Sequence, residues 1–303
     1  MLTVSNYHYV RENFTANYPS IFGLIPSEFK KQLLLLKEKG DFVSSKELLL
    51  NLNEILKSNE DYFFITFDDG LKEQYNYAVP ILDELKIPAV LFANSRNYQD
   101  NKVSTVHKIH LLRSLFSSSD LLKKITTYIP IKFSKEDNVK AKSIYIYDDN
   151  ESALLKYFLN FKINFTFQEE IIKEIFDVFY EEQKVLEELY MSKNEIINLG
   201  KNGFLGSHTH NHYPIGLLQE EEITFELENS KLYFEELTKT KVEMVSYPYG
   251  TPEACTNKVA QIAQNLGYKL GFTTTRGVNK AVDNNLLLNR YDCNDLIGGK
   301  NYK

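Results

Sequence analysis

The sequence predicts an α/β protein built on a parallel sheet, with a mainly helical insertion at about residues 96–189. Three observations predict it. Short apolar runs rich in β-branched residues alternate with stretches of helical period, the order expected of βαβ units that cross over right-handed. Polar clusters stand just past three of the runs, at Asp68, His208 and Tyr249, and ligand chemistry in parallel sheets gathers at the carboxyl ends of strands. From about Arg96 to Leu189 the texture changes and helical stretches dominate.

LTVSNYHYV, residues 2–10, reads as the first strand, and EFKKQLLLLKEKG as a helix stopped by Gly40. DYFFITF is the next strand. The helical stretch LKEQYNYAVPILDELK contains Pro80, which demands either a kink or a new helix starting near the proline, and PAVLFAN completes a βαβ unit. In the insertion, VHKIHLLRSLF and FQEEIIKEIFDVFYEEQKVLEELY read as helices around a strand-like SIYIYDDN. Ser192 and Glu195 form a capping-box signature ahead of IINLG, and Lys201–Gly203 turns the chain into a short strand, FLGS. A charged helix, EEEITFELENSKLYFEEL, leads to EMVSYPYG, a helix through VAQIAQNLGY, and the segments KLGFTTTRG and LLLNRYD.

Composition narrows the function. With 35 Lys+Arg against 41 Asp+Glu and no basic stripe, nucleic acid is excluded as an expected partner. Cys255 and Cys293 are far apart, which excludes a disulfide scaffold or a cysteine zinc site, so histidine and carboxylate must carry any metal. MLTVSNYHYVRENF lacks a basic segment followed by a long apolar one, and no run approaches the ~18 apolar residues of a membrane span. The expectation is a soluble, cytoplasmic protein.

The second cluster, GSHTHNHYP, carries the most chemistry. On an extended strand His208 and His212 would stand roughly 13 Å apart, too far to share one ion. The backbone must therefore turn, and a helix-like turn brings the pair to about 6 Å with His210 pointing elsewhere. With one carboxylate they make a facial metal site open to water and substrate. The adjacent aspartates of FITFDDG point in different directions, so one can bind the metal while its neighbour faces the substrate as a base. Asp-Asp-Gly after a strand is also the composition of a solvated turn with a helix N-cap, and YDDN at Tyr147–Asn150, without a histidine pair, is read as such a loop. His107 and His110, three apart on a helix, are read as packing the insertion or touching substrate at its rim.

TFDDG (Thr66–Gly70), HTHNH (His208–His212) and YPYG (Tyr247–Gly250), in this order, resemble the motifs of the polysaccharide deacetylases with a NodB-type domain. The resemblance covers residues 1–95 and 190–295. It implies a distorted (β/α)7-type barrel that binds one divalent ion, usually zinc, and hydrolyses the N-acetyl group of an amino sugar. Asp68 matches the general base, and Asp69, His208 and His212 the metal ligands. Thr209 occupies the hydroxyl position of the histidine motif, and Tyr249 matches the residue whose backbone N–H stabilises the oxyanion.

Two positions depart from the family pattern. Ser246 stands where the family often has an arginine that orients the base, so Arg290 or Arg276 is expected to replace it. No histidine follows His212 to serve as the general acid. His8 is the candidate, because VSNYHYV resembles the first strand of poly-N-acetylglucosamine deacetylases, in which the family's last strand is moved to the N-terminus by circular permutation. The expected substrate is an N-acylated amino sugar of surface-polysaccharide or lipopolysaccharide assembly, nucleotide- or lipid-linked. The oligomeric state is not legible. Two other readings stand beside this one: an amidohydrolase acting on a non-sugar C–N bond, and a catalytically degenerate sugar-binding protein.

Overall fold

A computed structural model describes residues 1–15, 23–129, 132–145, 148–280 and 284–302, which divide into two compact units. The first comprises 1–13, 23–102 and 185–302, the second 14–15 and 103–184. Residues 96–102, placed in the insertion by sequence, thus belong to the first unit, where Arg96 bonds to the loop after β5.

Among its described residues the first unit holds eight strands: β1 (Leu2–Tyr7), β2 (Asp41–Phe42), β3 (Tyr62–Phe67), β4 (Ala89–Ala93), β5 (Leu205–Ser207), β6 (Met244–Ser246), β7 (Leu270–Phe272) and β8 (Tyr291–Asp292). Seven follow one another in the order β7-β6-β5-β4-β3-β1-β8, all pairs parallel, and β2 pairs with the start of β3. The N-terminal strand lies between β3 and β8, as the circularly permuted order requires. The last segment curls the sheet round. Leu288 and Arg290 hydrogen-bond to the chain of β7 and beyond it, and from the next residue, Tyr291, β8 pairs with β1.

Side chains alternate across a strand, and both faces here are buried, which is why the strands read as nearly continuous apolar runs. Leu2, Val4, Phe64, Val90, Phe92, Met244, Leu270, Phe272 and Leu288 form the interior cluster, with Phe272 5.6 Å from both Phe64 and Phe92. Their neighbours of opposite parity, among them Phe63, Ile65, Phe67, Leu91 and Val245, pack with the helices. The parity that places Phe64 and Thr66 inside places Asp68 there too, and Leu288 does the same for Arg290.

Helices α1 (Pro26–Lys37), α2 (Ser45–Lys57), α3 (Val79–Leu85) and α4 (Arg96–Gln99) precede the second unit. The sequence reading passed over β2 and α2, whose start is a capping box between Ser44 and Glu47. Before α3 comes one π-helical turn, Gln74–Ala78, in which the Val79 N–H reaches back five residues to the Gln74 carbonyl. Pro80, next in line, has no N–H, so the wide turn falls where the helical ladder is interrupted anyway.

The second unit is helical: α5 (Thr105–Leu115), α6 (Ser118–Thr126), α7 (Lys135–Ile144), α8 (Asn150–Phe161) and α9 (Phe165–Asp177), with α10 (Glu182–Leu189) leading out of it. The strand expected at SIYIYDDN is absent among its described residues. Ser143 and Ile144 finish α7, Asp149 caps α8, and Ile146 and Tyr147 lie outside the described residues. Alternation in SIYIY was outweighed by the capping box of Ser134 with Asp137, which starts a helix upstream. His107 is buried on α5 with its ring 5.9 Å from that of His110. The first unit is completed by α11 (Lys193–Lys201), started by the expected Ser192–Glu195 capping box, α12 (Glu220–Thr238) and α13 (Asn257–Asn265). Among the described residues no helix is long and apolar enough to cross a membrane.

Candidate active site

The site lies past the carboxyl ends of the strands of the first unit. Asp68 and Asp69 follow β3 and diverge because Asp69 takes a left-handed conformation, φ 80°. Gly70 continues that turn at φ 63°, and a Cβ there would stand 2.9 Å from Ala93 Cβ. His208 follows β5, and the loop to His212 turns through left-handed residues at Thr209 (φ 62°) and His212 (φ 63°). No helical turn forms there, contrary to the sequence expectation, yet the two imidazole rings come within 4.9 Å. Tyr249, at φ 63°, belongs to the loop after β6, where Thr274 bonds to the carbonyls of Tyr249 and Gly250. Among the described residues, four of the seven non-glycine residues with positive φ are thus site residues, and backbone strain of this kind persists only where the surroundings enforce it.

Asp69 Oδ1 lies 3.5 Å from His208 Nε2 and 3.2 Å from His212 Nε2, and one ligand atom from each of the three falls within 4.8 Å of the others. Ligands bonded to one tetrahedral ion at about 2.0–2.1 Å stand roughly 3.4 Å apart. The donor set therefore fits a divalent ion. His208 Nδ1 is 2.7 Å from the Ser246 carbonyl, which can only accept, so Nδ1 carries the proton and Nε2 presents its lone pair to Asp69. Burial lowers the His208 pKa to about 4, which keeps the ring neutral, as a ligand must be.

Asp68 faces the other way. Arg290 grips it bidentately, at 2.9 and 2.7 Å, while its Nε donates to the Thr273 carbonyl at 2.8 Å and Nη1, one of the two nitrogens on Asp68, also reaches Thr66 Oγ1 at 3.3 Å. Burial alone would raise the Asp68 carboxyl. The guanidinium and the neighbouring His208 outweigh it and hold the group at about 2. Arg276, the other arginine considered, has a side chain 61% exposed and lies 3.7 Å from Asp295, so it does not take this place. His8 stands one residue past β1, with Nε2 4.0 Å from Asp69 Oδ2 and its side chain 29% exposed.

Sequence reasoning missed the residues that hold the histidine loop. Glu226, buried on α12, accepts from the His210 and Asn211 N–H groups at 3.0 and 2.7 Å and from Asn211 Nδ2 at 2.6 Å. Burial raises its carboxyl, and the Asn211 and His210 donors oppose that. From the loop after β4, Asn94 bonds to the His208 carbonyl, Ser95 Oγ to His210 Nδ1 at 2.8 Å, and Arg96 to Asn211 Oδ1 at 2.9 Å. The available signal was an acidic residue on the inward stripe of an amphipathic helix, between Ile223, Leu227 and Ser230. Cys255 and Cys293 are both buried and free.

The family model described as polysaccharide deacetylase matches residues 56–127 and 178–271, a span that contains Asp68, Asp69, His208, His212 and Tyr249 but neither His8 nor Arg290. No curated protein matches the sequence significantly. Among solved structures the chain is similar to the Streptococcus pyogenes deacetylase PplD in complex with acetate (TM-score 0.54, 20% identity, 96% of this chain and 91% of that one). It is similar to IcaB from Ammonifex degensii (0.57, 20%, 96% and 90%) and to a de-N-acetylase from Aggregatibacter actinomycetemcomitans (0.57, 13%, 96% and 95%). These likenesses, nearly end to end, show a shared fold, and with the family match over more than half its length the chain belongs to the polysaccharide deacetylase family.

Proposed function

We propose that this protein is a metal-dependent N-deacetylase that removes the acetyl group, or another acyl group, from an amino sugar in surface-polysaccharide or lipopolysaccharide assembly. The observation that supports it best is the division of the aspartate pair: Asp69 turned to His208 and His212, Asp68 turned to Arg290. Asp69, His208 and His212 would hold the ion, most simply Zn2+, since two imidazoles and a carboxylate suit it. When bound, the ion supplies a Lewis acid that polarises the acyl carbonyl and acidifies the attacking water, which a carboxylate held near 2 needs in order to accept the proton.

The protein's own groups do the rest. Arg290 keeps Asp68 ionised and aimed, so that it takes the proton of the attacking water. The Tyr249 N–H, fixed by its left-handed turn, donates to the oxyanion that forms at the acyl oxygen. His8, across Asp69 from the histidine loop, delivers a proton to the departing amine. Ser246, where the family often has arginine, and the lack of a histidine after His212 are the two features that favour a catalytically degenerate sugar-binding protein; the Arg290 guanidinium on Asp68 supports the catalytic reading against the first of them.

The test is metal content together with acetate release from N-acetylated amino sugars and from simple amides. Asp68→Asn should retain one zinc per chain and lose turnover by about 10²-fold or more. Full activity in that variant would remove the base assignment, and release from simple amides alone would move the substrate away from sugars.

A further inference from the structure

The acid candidate sits on one loop and the base on another, and neither sequence motif explains what sets their spacing. Gln74 is fully buried at the first position of the π-helical turn. Its Nε2 donates both to the His8 carbonyl at 2.9 Å and to the Asp68 carbonyl at 2.5 Å, while its Oε1 accepts from the Leu71 N–H at 3.2 Å. Every polar atom of the carboxamide is thereby used, and the two carbonyls it joins belong to the residues after β1 and after β3. The preceding residue repeats the connection: Glu73 accepts from Arg11 Nε at 2.6 Å, and the Arg11 guanidinium lies 4.3 Å from the centre of the Tyr9 ring. The first residue of the π turn and the residue before it therefore clasp the segment that carries His8.

The two ends of the clasp differ in what else holds them. Asp68 has the bidentate Arg290 and a backbone bond from its N–H to the Tyr7 carbonyl. His8 lies beyond the last paired residue of β1, and its side chain is 29% exposed. We propose that Gln74 is a positioning residue that fixes the His8 segment relative to the Asp68–Asp69 turn, and so sets the distance between proton donor and proton acceptor. The unusual π turn is what presents residue 74 to both loops, and such turns are concentrated at functional sites. This rests on the assignment of His8 and Asp68 proposed above.

The test uses Gln74→Met, which keeps the length and loses the donors, and Gln74→Glu, which keeps the acceptor for Leu71 but sets a carboxylate against two carbonyls. In the zinc-loaded enzyme, with a poly-N-acetylglucosamine oligomer as probe, both should lose about 10- to 100-fold in kcat with KM little changed, because a misplaced proton donor costs on that scale. In a His8→Ala background the same Gln74 substitution should cost less than about threefold, the non-additivity of residues acting through one another. Unchanged kcat in a folded variant, or costs that simply multiply with His8→Ala, would overturn the proposal. One further readout needs no turnover: the His8 ring Cε1–H resonance of the zinc-loaded protein should shift or broaden in Gln74→Met. Should the wild type release no acetate from any amino sugar, the deacetylase reading falls, while an unmoved His8 resonance separately refutes the positioning role.

Discussion

Replacing Arg290 by Met removes the guanidinium from Asp68 while filling much of its volume, and the consequences can be worked out from the contacts. The pair is buried, with Arg290 1% and Asp68 2% exposed, so solvent screens it little. Breaking a buried pair by deleting one partner leaves an uncompensated charge and costs about 3–5 kcal/mol. The pH dependence is more diagnostic than the loss. In the wild type, Asp68 is lowered from 3.8 to about 2, the balance of burial against Arg290 and the histidines beside it, so the ionised carboxylate contributes roughly 2–3 kcal/mol at neutral pH. That contribution is present above the unfolded pKa and is lost as pH falls through the folded one, in a window from about pH 4 to 2. Without Arg290, burial becomes the dominant influence and the Asp68 carboxyl rises above its ordinary value. The sign then reverses. A raised carboxyl is stabilising when protonated, so the Arg290→Met protein should gain stability on acidification from neutral pH toward pH 5, where the wild type is flat on this account. Urea unfolding of the metal-free proteins in EDTA, at intervals from pH 3 to 7.5, measures it. Parallel stability curves for the two proteins would refute the reasoning, because they would mean that Arg290 does not control the Asp68 charge.

Two further outcomes follow from the contacts. Glu226→Gln replaces a carboxylate that accepts three hydrogen bonds from the histidine loop by an amide that can accept fewer, so chelator competition should show zinc affinity weakened by about 10- to 100-fold. Unchanged affinity would mean that the loop holds its shape without α12. Gly70→Ala combines a left-handed φ with a Cβ placed 2.9 Å from Ala93 Cβ, and should cost about 1–3 kcal/mol in urea unfolding. Gly267→Ala, with φ 84° and nothing within 4 Å of the new Cβ, isolates the backbone share and should cost about 1 kcal/mol. Equal losses in the two would show that the contact with Ala93 carries no cost.

The fold was legible where local chemistry is strong. DYFFITF and PAVLFAN became β3 and β4, and the Ser192–Glu195 capping box started a helix where expected, because apolar runs and caps act over a few residues. SIYIYDDN shows the limit of the same reasoning. Its alternation is a weak preference, and the helix capped at Ser134, nine residues before its start, runs on to Ile144. The residues of the candidate site were legible too, since Asp69, His208 and His212, which the structure brings together, and Asp68 beside them lie inside two short motifs. How the histidines come together was not: Thr209 and His212 adopt left-handed conformations that neither residue favours alone, imposed through Glu226 and the loop after β4.

The sequence by itself determined which chemical groups stand at the carboxyl ends of which strands, because that is a matter of adjacency along the chain and of a period of two. Only the tertiary structure decided between the two arginines. Residues 285–290 run along β7 before β8 pairs with β1, and the strand parity they inherit turns Leu288 and Arg290 inward while Arg276 is left in solvent. The contact from Arg290 to Asp68 spans 222 residues of sequence. Gln74 and Glu226 escaped notice for the same reason: the His8 carbonyl that Gln74 holds and the histidine loop that Glu226 holds lie 66 and 15–16 residues away in sequence and are brought against them only by folding.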